Sequence, residues 1–145
     1  MQEVTLYTDG ACSGNPGKGG WGAILLYNGN KKELSGAEPM TTNNRMEMTA
    51  IIEGLRQLKR PCRVRVCSDS AYVVNCFRQN WIGYWRRNGW KNSRNKPVEN
   101  RDLWEKLLEL MDIHQVEFVK VKGHADDPWN NRCDELAREA IRRLE

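Results

Sequence analysis

The chain has 145 residues, 39% of them hydrophobic and 29% charged, with a formal net charge of +4. That length suits one domain with a full core, and no apolar run approaches the ~18 residues of a membrane span. The five cysteines form no C-x-x-C pair, so reduced thiols in small buried sites are expected rather than a disulfide framework or a zinc site.

The N-terminal MQEVTLYTDG enters a strand-like run at once, which reads as a cytoplasmic protein without a secretory signal. Residues 4–7 form that strand, which stops at Asp9. A glycine-rich stretch follows, with a literal G-x-G-x-x-G at Gly17, Gly19 and Gly22. As a dinucleotide loop it fails in context. The helix that should hold a pyrophosphate is replaced by the apolar AILLYNG, ending in an Asn28-Gly29 turn. Residues 17–22 are instead expected to turn the chain tightly into a hairpin of strands 21–27 and 31–37.

Thr42 and Asn43 cap a helix running to about residue 58, and Arg60-Pro61 ends it. Residues 63–67 alternate arginine with apolar residues as a fourth strand. Asp69-Ser70 starts a short helix to about residue 77. Residues 81–88 read as helical, with a polar loop to Lys96. A helix over 100–111, a strand over 116–121 and a helix over 130–144 complete the chain. The order βββαβαααβα, with a helical crossover after the third strand, calls for an α/β domain: a mixed sheet with helices on its faces and a meander at its start.

Four carboxylates occupy unusual positions. Asp9 and Asp69 end the first and fourth strands; if these strands are adjacent and parallel, both leave at the carboxyl edge where open α/β sheets place their sites. Glu47 falls in line with Ile51, Gly54 and Leu58 at about 100° per residue, on the stripe that must face the sheet. A carboxylate there is costly unless paired or on a metal. Asp134 lies at the edge of the apolar stripe of the last helix. Each has a bland reading, as helix-terminus charge or frayed turn. Together they form a cluster that divalent cations would relieve, and oxygen-only ligands favour a hard ion such as Mg²⁺ or Mn²⁺. Such a cluster suits phosphodiester hydrolysis with two ions. His124 shares the loop leading to Asp134 and is placed for proton traffic. His114 has no such neighbourhood and reads as surface.

From Arg78 to Arg101 there are seven basic residues and one acid, Glu99. Within this span Trp81, Trp85 and Trp90 are interleaved with Arg86, Arg87, Lys91, Arg94 and Lys96. At least one tryptophan should anchor the segment to the body. The unpaired cations favour a phosphate backbone, and exposed tryptophan can pack on sugars or bases.

Taken in order, TDGACSGNPG, TTNNRMEM, SDS, GWKNSRNKPVENRDLW and KGHADDPWNNRCDELA closely resemble the motifs of the bacterial type 1 ribonuclease H family, along nearly the whole chain. The resemblance implies a ribonuclease H-like fold, a five-stranded mixed sheet flanked by helices. It implies an endonuclease that cuts the RNA strand of RNA/DNA hybrids to 5′-phosphate and 3′-hydroxyl ends with two Mg²⁺ ions, for which Mn²⁺ substitutes. Asp9, Glu47, Asp69 and Asp134 fall on the family's metal-binding carboxylates, and His124 on its mobile-loop histidine. Asn15, Asn43 and Asn44 match minor-groove readers, and Gly10, Cys12 and Ser13 lie where backbone nears the RNA 2′-hydroxyls. Ser70 belongs to the same groove surface, and Thr42 and Asn100 match a pocket for a DNA-strand phosphate. Residues 81–96 look like the family's basic protrusion, placing Trp81, Trp85, Arg86, Arg87, Trp90, Lys91 and Lys96 on the DNA strand.

Two departures stand out. Ala71 follows Ser70 where many relatives carry Gln, which removes a groove contact. Asp126 and Asp127 add charge beside His124, enough to attract a metal or raise the histidine's pKa. The expected partner is the hybrid duplex, with no membrane, no obligate protein partner and nothing demanding more than a monomer. Two rivals share the motifs in part: a catalytically silent module binding hybrid or double-stranded RNA, and a DNA nuclease of the same superfold.

Overall fold

The computed structural model describes residues 1–121 and 127–144. Its strands are β1 (Gln2–Cys12), β2 (Gly17–Tyr27), β3 (Asn30–Thr41), β4 (Cys62–Ser68) and β5 (Gln115–Lys120). Its helices are α1 (Asn43–Arg56), α2 (Ala71–Arg78), α3 (Trp81–Arg87), α4 (Arg101–Ile113) and α5 (Pro128–Arg142). They form a five-stranded mixed sheet in the order β3-β2-β1-β4-β5. β1, β2 and β3 make an antiparallel meander, while β1–β4 and β4–β5 are parallel. The element order is the expected one.

The helix starts follow from the sequence. Thr42 caps α1, its hydroxyl accepting from the Arg45 N–H at 3.2 Å. Ser70 caps α2 in the same way, accepting from Val73 N–H at 3.2 Å. Each satisfies one amide that the first helical turn leaves unpaired. Asp127, expected as a charge for a metal or for His124, is the N-cap of α5: its carboxylate accepts from the Trp129 and Asn130 N–H groups. His124 and Asp126 lie outside the described residues.

The two large helices cover opposite faces of the sheet. In β1, side chains alternate between faces. Leu6 and Gly10 meet α1, where Gly54 leaves room for Leu6 and the backbone at residues 46–47 sits on Gly10. On the other face, Gly20 and Gly22 of β2 admit the α5 backbone at Ala137 and Cys133. The core between sheet and helices holds Leu6, Ile51, Leu55, Val64, Val66, Val73, Trp104 and Leu107, all buried.

Three expectations are corrected. Asp9 does not end its strand: β1 runs on to Cys12, and only the parallel pairing with β4 stops, at Tyr7↔Cys67. Residues 17–22 are not a turn but the first half of β2, its glycines making room for α5 and for neighbouring side chains. The link between the strands is residues 13–16. His114 is not on the surface. It is 5% exposed, and its Nδ1 accepts the Cys62 N–H at 3.1 Å, which ties the end of α4 to the start of β4.

Candidate active site

The ending of the β1–β4 pairing at Tyr7 opens an edge beyond it. Asp9 stands there on β1, still paired to Gly22 of β2. Asp69 follows the last residue of β4. It is framed by Ser68, whose buried hydroxyl accepts the Ser70 N–H at 3.1 Å and whose carbonyl accepts the Val121 N–H. Glu47 reaches the same place because Gly10 has no side chain. A Cβ there would lie 2.5 Å from the Glu47 backbone nitrogen, so only glycine lets the first turns of α1 settle onto the strand. The Cα face of Gly10 is thus covered by α1.

Carboxylate oxygens of Asp9, Glu47 and Asp69 come within 4.8 Å of one another. Asp9 is 6% exposed and Glu47 4%. Burial, followed by the neighbouring charge of Asp69, pushes Asp9 up to about 7. Burial, then the charges of Asp9 and Asp69, raises Glu47 well above the ordinary carboxylate range. The Asp9 Oδ1 accepts the Gly10 N–H at 2.9 Å, whereas the buried Oε2 of Glu47 has no hydrogen-bond partner. A buried acceptor left unpaired among like charges is costly. A hard divalent cation answers both the charge and the orphaned oxygen, and an all-oxygen donor set suits it.

Asp134 is not part of this group of three. It stands on α5, half-exposed, with Oδ2 3.1 Å from Nε of Arg138. Its charge nonetheless acts on Asp9. The expected meeting of four carboxylates is therefore three together with the fourth alongside. A cavity of about 480 Å³ at the other end of the sheet, lined by Val4, Leu25, Leu58, Lys59 and Cys62, contains none of the expected site residues.

Next to the carboxylates lies a polar surface. Asn15 Oδ1 accepts the Asn43 N–H at 3.1 Å, joining the 13–16 link to the α1 N-terminus. Asn43 is exposed and Asn44 half-buried. The Cys12 thiol donates to the carbonyls of Thr41 and Gly17, and the Ser13 N–H to Lys18 O at 2.7 Å. Ser70 is mostly buried and its hydroxyl serves the α2 cap. Asn100, at the start of α4, donates to the Tyr72 hydroxyl and accepts from Arg45 Nη1 at 3.3 Å. Arg45 also holds Asp102 through two hydrogen bonds, at 2.7 and 3.0 Å. Sequence reasoning missed Arg45; its place between Thr42 and Glu47 in TTNNRMEM was the available signal.

The basic arm is anchored as expected. Trp85 packs against Trp104 with centroids 5.9 Å apart, and Trp81 against Trp85 at 6.3 Å. Ile82 of α3 is buried. Trp90 carries the Arg101 guanidinium over its ring at 5.2 Å, a contact that neither spacing nor local pattern signals. Arg86, Arg87, Lys91 and Lys96 are exposed.

Comparison with known proteins decides the family. The sequence profile described as RNase H matches residues 1–142. The chain is 66% identical over 144 residues to a Ribonuclease H of Moorella thermoacetica, covering 99% of this chain and 95% of that one. It is 68% identical over 141 residues to a Ribonuclease H of Symbiobacterium thermophilum, covering 97% and 96%.

The chain belongs to the ribonuclease H family.

Solved structures agree. LC9-RNase H1, a type 1 RNase H with the type 2 active-site motif, superposes with a TM-score of 0.87 at 31% identity, over 100% of this chain and 74% of that one. LC11-RNase H1 in complex with RNA/DNA hybrid superposes with a TM-score of 0.71 at 25% identity, over 97% and 98%. Ribonucleases H depend on divalent metal, and this chain carries the acidic cluster such an ion needs. No helix among the described residues is long and apolar enough to cross a membrane.

Proposed function

We propose that this ribonuclease H is an endonuclease cutting the RNA strand of RNA/DNA hybrids, with two Mg²⁺ ions held by Asp9, Glu47, Asp69 and Asp134. The observation that carries the reading is the convergence of three buried or half-buried carboxylates around an unpartnered Glu47 oxygen. A silent binding module has no use for that repulsion, which lowers stability without a cation to offset it. When bound, the ions would activate water for attack on the scissile phosphorus and offset charge on the leaving 3′-oxygen, leaving 5′-phosphate and 3′-hydroxyl ends.

The chain's own residues do the rest. Asp9 and Glu47, anchored on β1 and α1, fix the ligand oxygens on rigid elements. Asn15, Asn43, Asn44 and the backbone of Gly10, Cys12 and Ser13 face the minor groove, where an RNA strand displays its 2′-hydroxyls. Ser70 borders that surface. Thr42 and Asn100, with Arg45 between them, receive a DNA-strand phosphate. Residues 81–96 form a basic arm that grips the DNA strand with Trp81, Trp85, Arg86, Arg87, Trp90, Lys91 and Lys96. His124 carries a proton during turnover. The chain acts as a single domain, a cytoplasmic monomer, and Mn²⁺ replaces Mg²⁺.

The test is a comparison of substrates. Equal-length RNA/DNA hybrid, double-stranded RNA and double-stranded DNA are incubated with the protein and Mg²⁺. Preferential cleavage of the hybrid's RNA strand is expected. Preferential cleavage of DNA would point to the DNA-nuclease rival, and binding of hybrid without cleavage to the silent module.

A further inference from the structure

The position of Asp134 is set by glycine packing. Gly22 of β2 lies under the Cys133 carbonyl, and Gly20 lies under that of Ala137. Gly22 is also the cross-strand partner of Asp9. The α5 helix therefore carries Asp134, the residue after Cys133, to the flank of Asp9, near enough for its charge to act there. Its carboxylate oxygen is nonetheless engaged one helical turn away, 3.1 Å from Nε of Arg138. This is an i,i+4 pair with the acid on the N-terminal side, the favoured orientation on a helix. Asp134 is 37% exposed and Arg138 67%, so the pair is accessible and its exchange is not blocked by packing.

A carboxylate cannot give the same oxygen fully to a guanidinium and to a divalent ion. We propose that Arg138 is the resting counter-ion of Asp134 and that cation uptake at the carboxylate cluster requires Asp134 to exchange it. Arg138 is thus a positioning residue that sets the threshold of cation affinity. This rests on reading the cluster as a divalent-cation site. Physically, the arrangement has two sides. In the cation-free protein the Arg138 charge draws that of Asp134 away from Asp9 and Asp69, where a further carboxylate would add repulsion. When a cation binds, losing the Arg138 contact and leaving a positive charge nearby both weaken its hold.

The test is a double-mutant cycle read by calorimetric titration of Mn²⁺, with thermal unfolding in chelator as a second readout. At low ionic strength Arg138→Gln should tighten Mn²⁺ binding roughly three- to tenfold, a gain that shrinks as salt screens the pair. It should also lower the unfolding temperature in chelator. Asp134→Asn should weaken Mn²⁺ binding, and in that background Arg138→Gln should change affinity less than about twofold. The exposed Arg142→Gln, one turn further along α5, serves as a control for net charge. An unchanged affinity in Arg138→Gln overturns the proposal. So does an equal gain in Arg142→Gln, or a gain that persists in the Asp134→Asn background. Failure of the underlying reading looks different: Asp9→Asn and Glu47→Gln would then leave Mn²⁺ binding unaltered.

Discussion

The carboxylate edge and the basic arm handle like charge in opposite ways. At the edge, Asp9 and Glu47 are 6% and 4% exposed, with Asp69 within the same 4.8 Å group. On the arm, Arg86, Arg87, Lys91 and Lys96 stand in solvent, and none has a carboxylate within 4.0 Å among the described residues. Water and salt screen the second set at little cost. Burial keeps water and salt from screening Asp9 and Glu47 in the same way, so much of their repulsion is retained until protons or metal ions arrive. On the proposed reading, the edge serves tight, specific cation chemistry and the arm salt-sensitive attraction to a polyanion whatever its sequence. The difference lies in what holds each region. The edge is made by strand pairing and a glycine contact, whereas the arm is held from beneath by tryptophans packed with their rings tilted to one another.

The largest expected effect comes from removing one edge charge. Asp9→Asn should retain hybrid binding and lose cleavage by on the order of a thousandfold or more, the scale of removing a directly placed charge-stabilising group. The same change should stabilise the metal-free fold by on the order of 1–3 kcal/mol, because it removes a charge from a buried, crowded site. The sign follows from the raised Asp9 value. Asp9 moves from 3.8 to about 7 on folding, so the folded state holds a proton that the unfolded chain has released. Its contribution to stability is full below pH ~4 and is lost as pH rises through about 7. Urea unfolding in chelator across that window measures it. A wild-type stability that, relative to Asp9→Asn, rises with pH across that window, or an Asp9→Asn variant no more stable than wild type at pH 8, would break the account of the edge.

The arm should give a smaller, graded effect. Neutralising Arg86, Arg87, Lys91 and Lys96 together should weaken hybrid binding by roughly 10- to 100-fold at low salt. It should also flatten the slope of log K against log salt by roughly two to four, at somewhat under one unit per phosphate contact. The maximal turnover rate at saturating substrate should hold. A salt slope equal to that of the wild type would remove the arm from binding and leave the tryptophans as its only function.

Much of the edge was legible in the sequence, and the reason is physical. Glu47 betrayed itself by sitting on an apolar stripe, and Asp69 by following an alternating strand. The element order came from capping residues and periodicity, which are local. What stayed hidden depended on distant partners. The strand character of residues 17–22 was masked by glycines that look like a turn alone, yet Gly20 and Gly22 exist to seat α5. The extension of β1 past Asp9 needs β2 beside it. Arg45 gained its partners Asn100 and Asp102 from a helix more than fifty residues away. The turn of Asp134 toward Arg138 was in principle readable from their i,i+4 spacing, but not its competition with the edge.

His114 gives the smallest effect on turnover and the sharpest contrast with Asp9, since both are buried titratable groups but their signs oppose. Its Nδ1 accepts the Cys62 N–H, and burial lowers its pKa from 6.5. The folded state therefore resists the proton that the unfolded chain takes up. The contribution of His114 is full above pH ~6.5 and is lost as pH falls below it. His114→Ala should cost about 1–3 kcal/mol, the scale of leaving the Cys62 amide unpaired in the interior, while leaving turnover unchanged because the residue lies at the opposite end of β4 from Asp69. His114→Gln keeps an acceptor but not the ring's proton equilibrium, so it should recover part of the loss at pH 8 and flatten the acid slope. Comparing the unfolding free energies of the three proteins at pH 5 and pH 8 separates packing from titration: an acid slope that survives in His114→Gln would assign it to other groups.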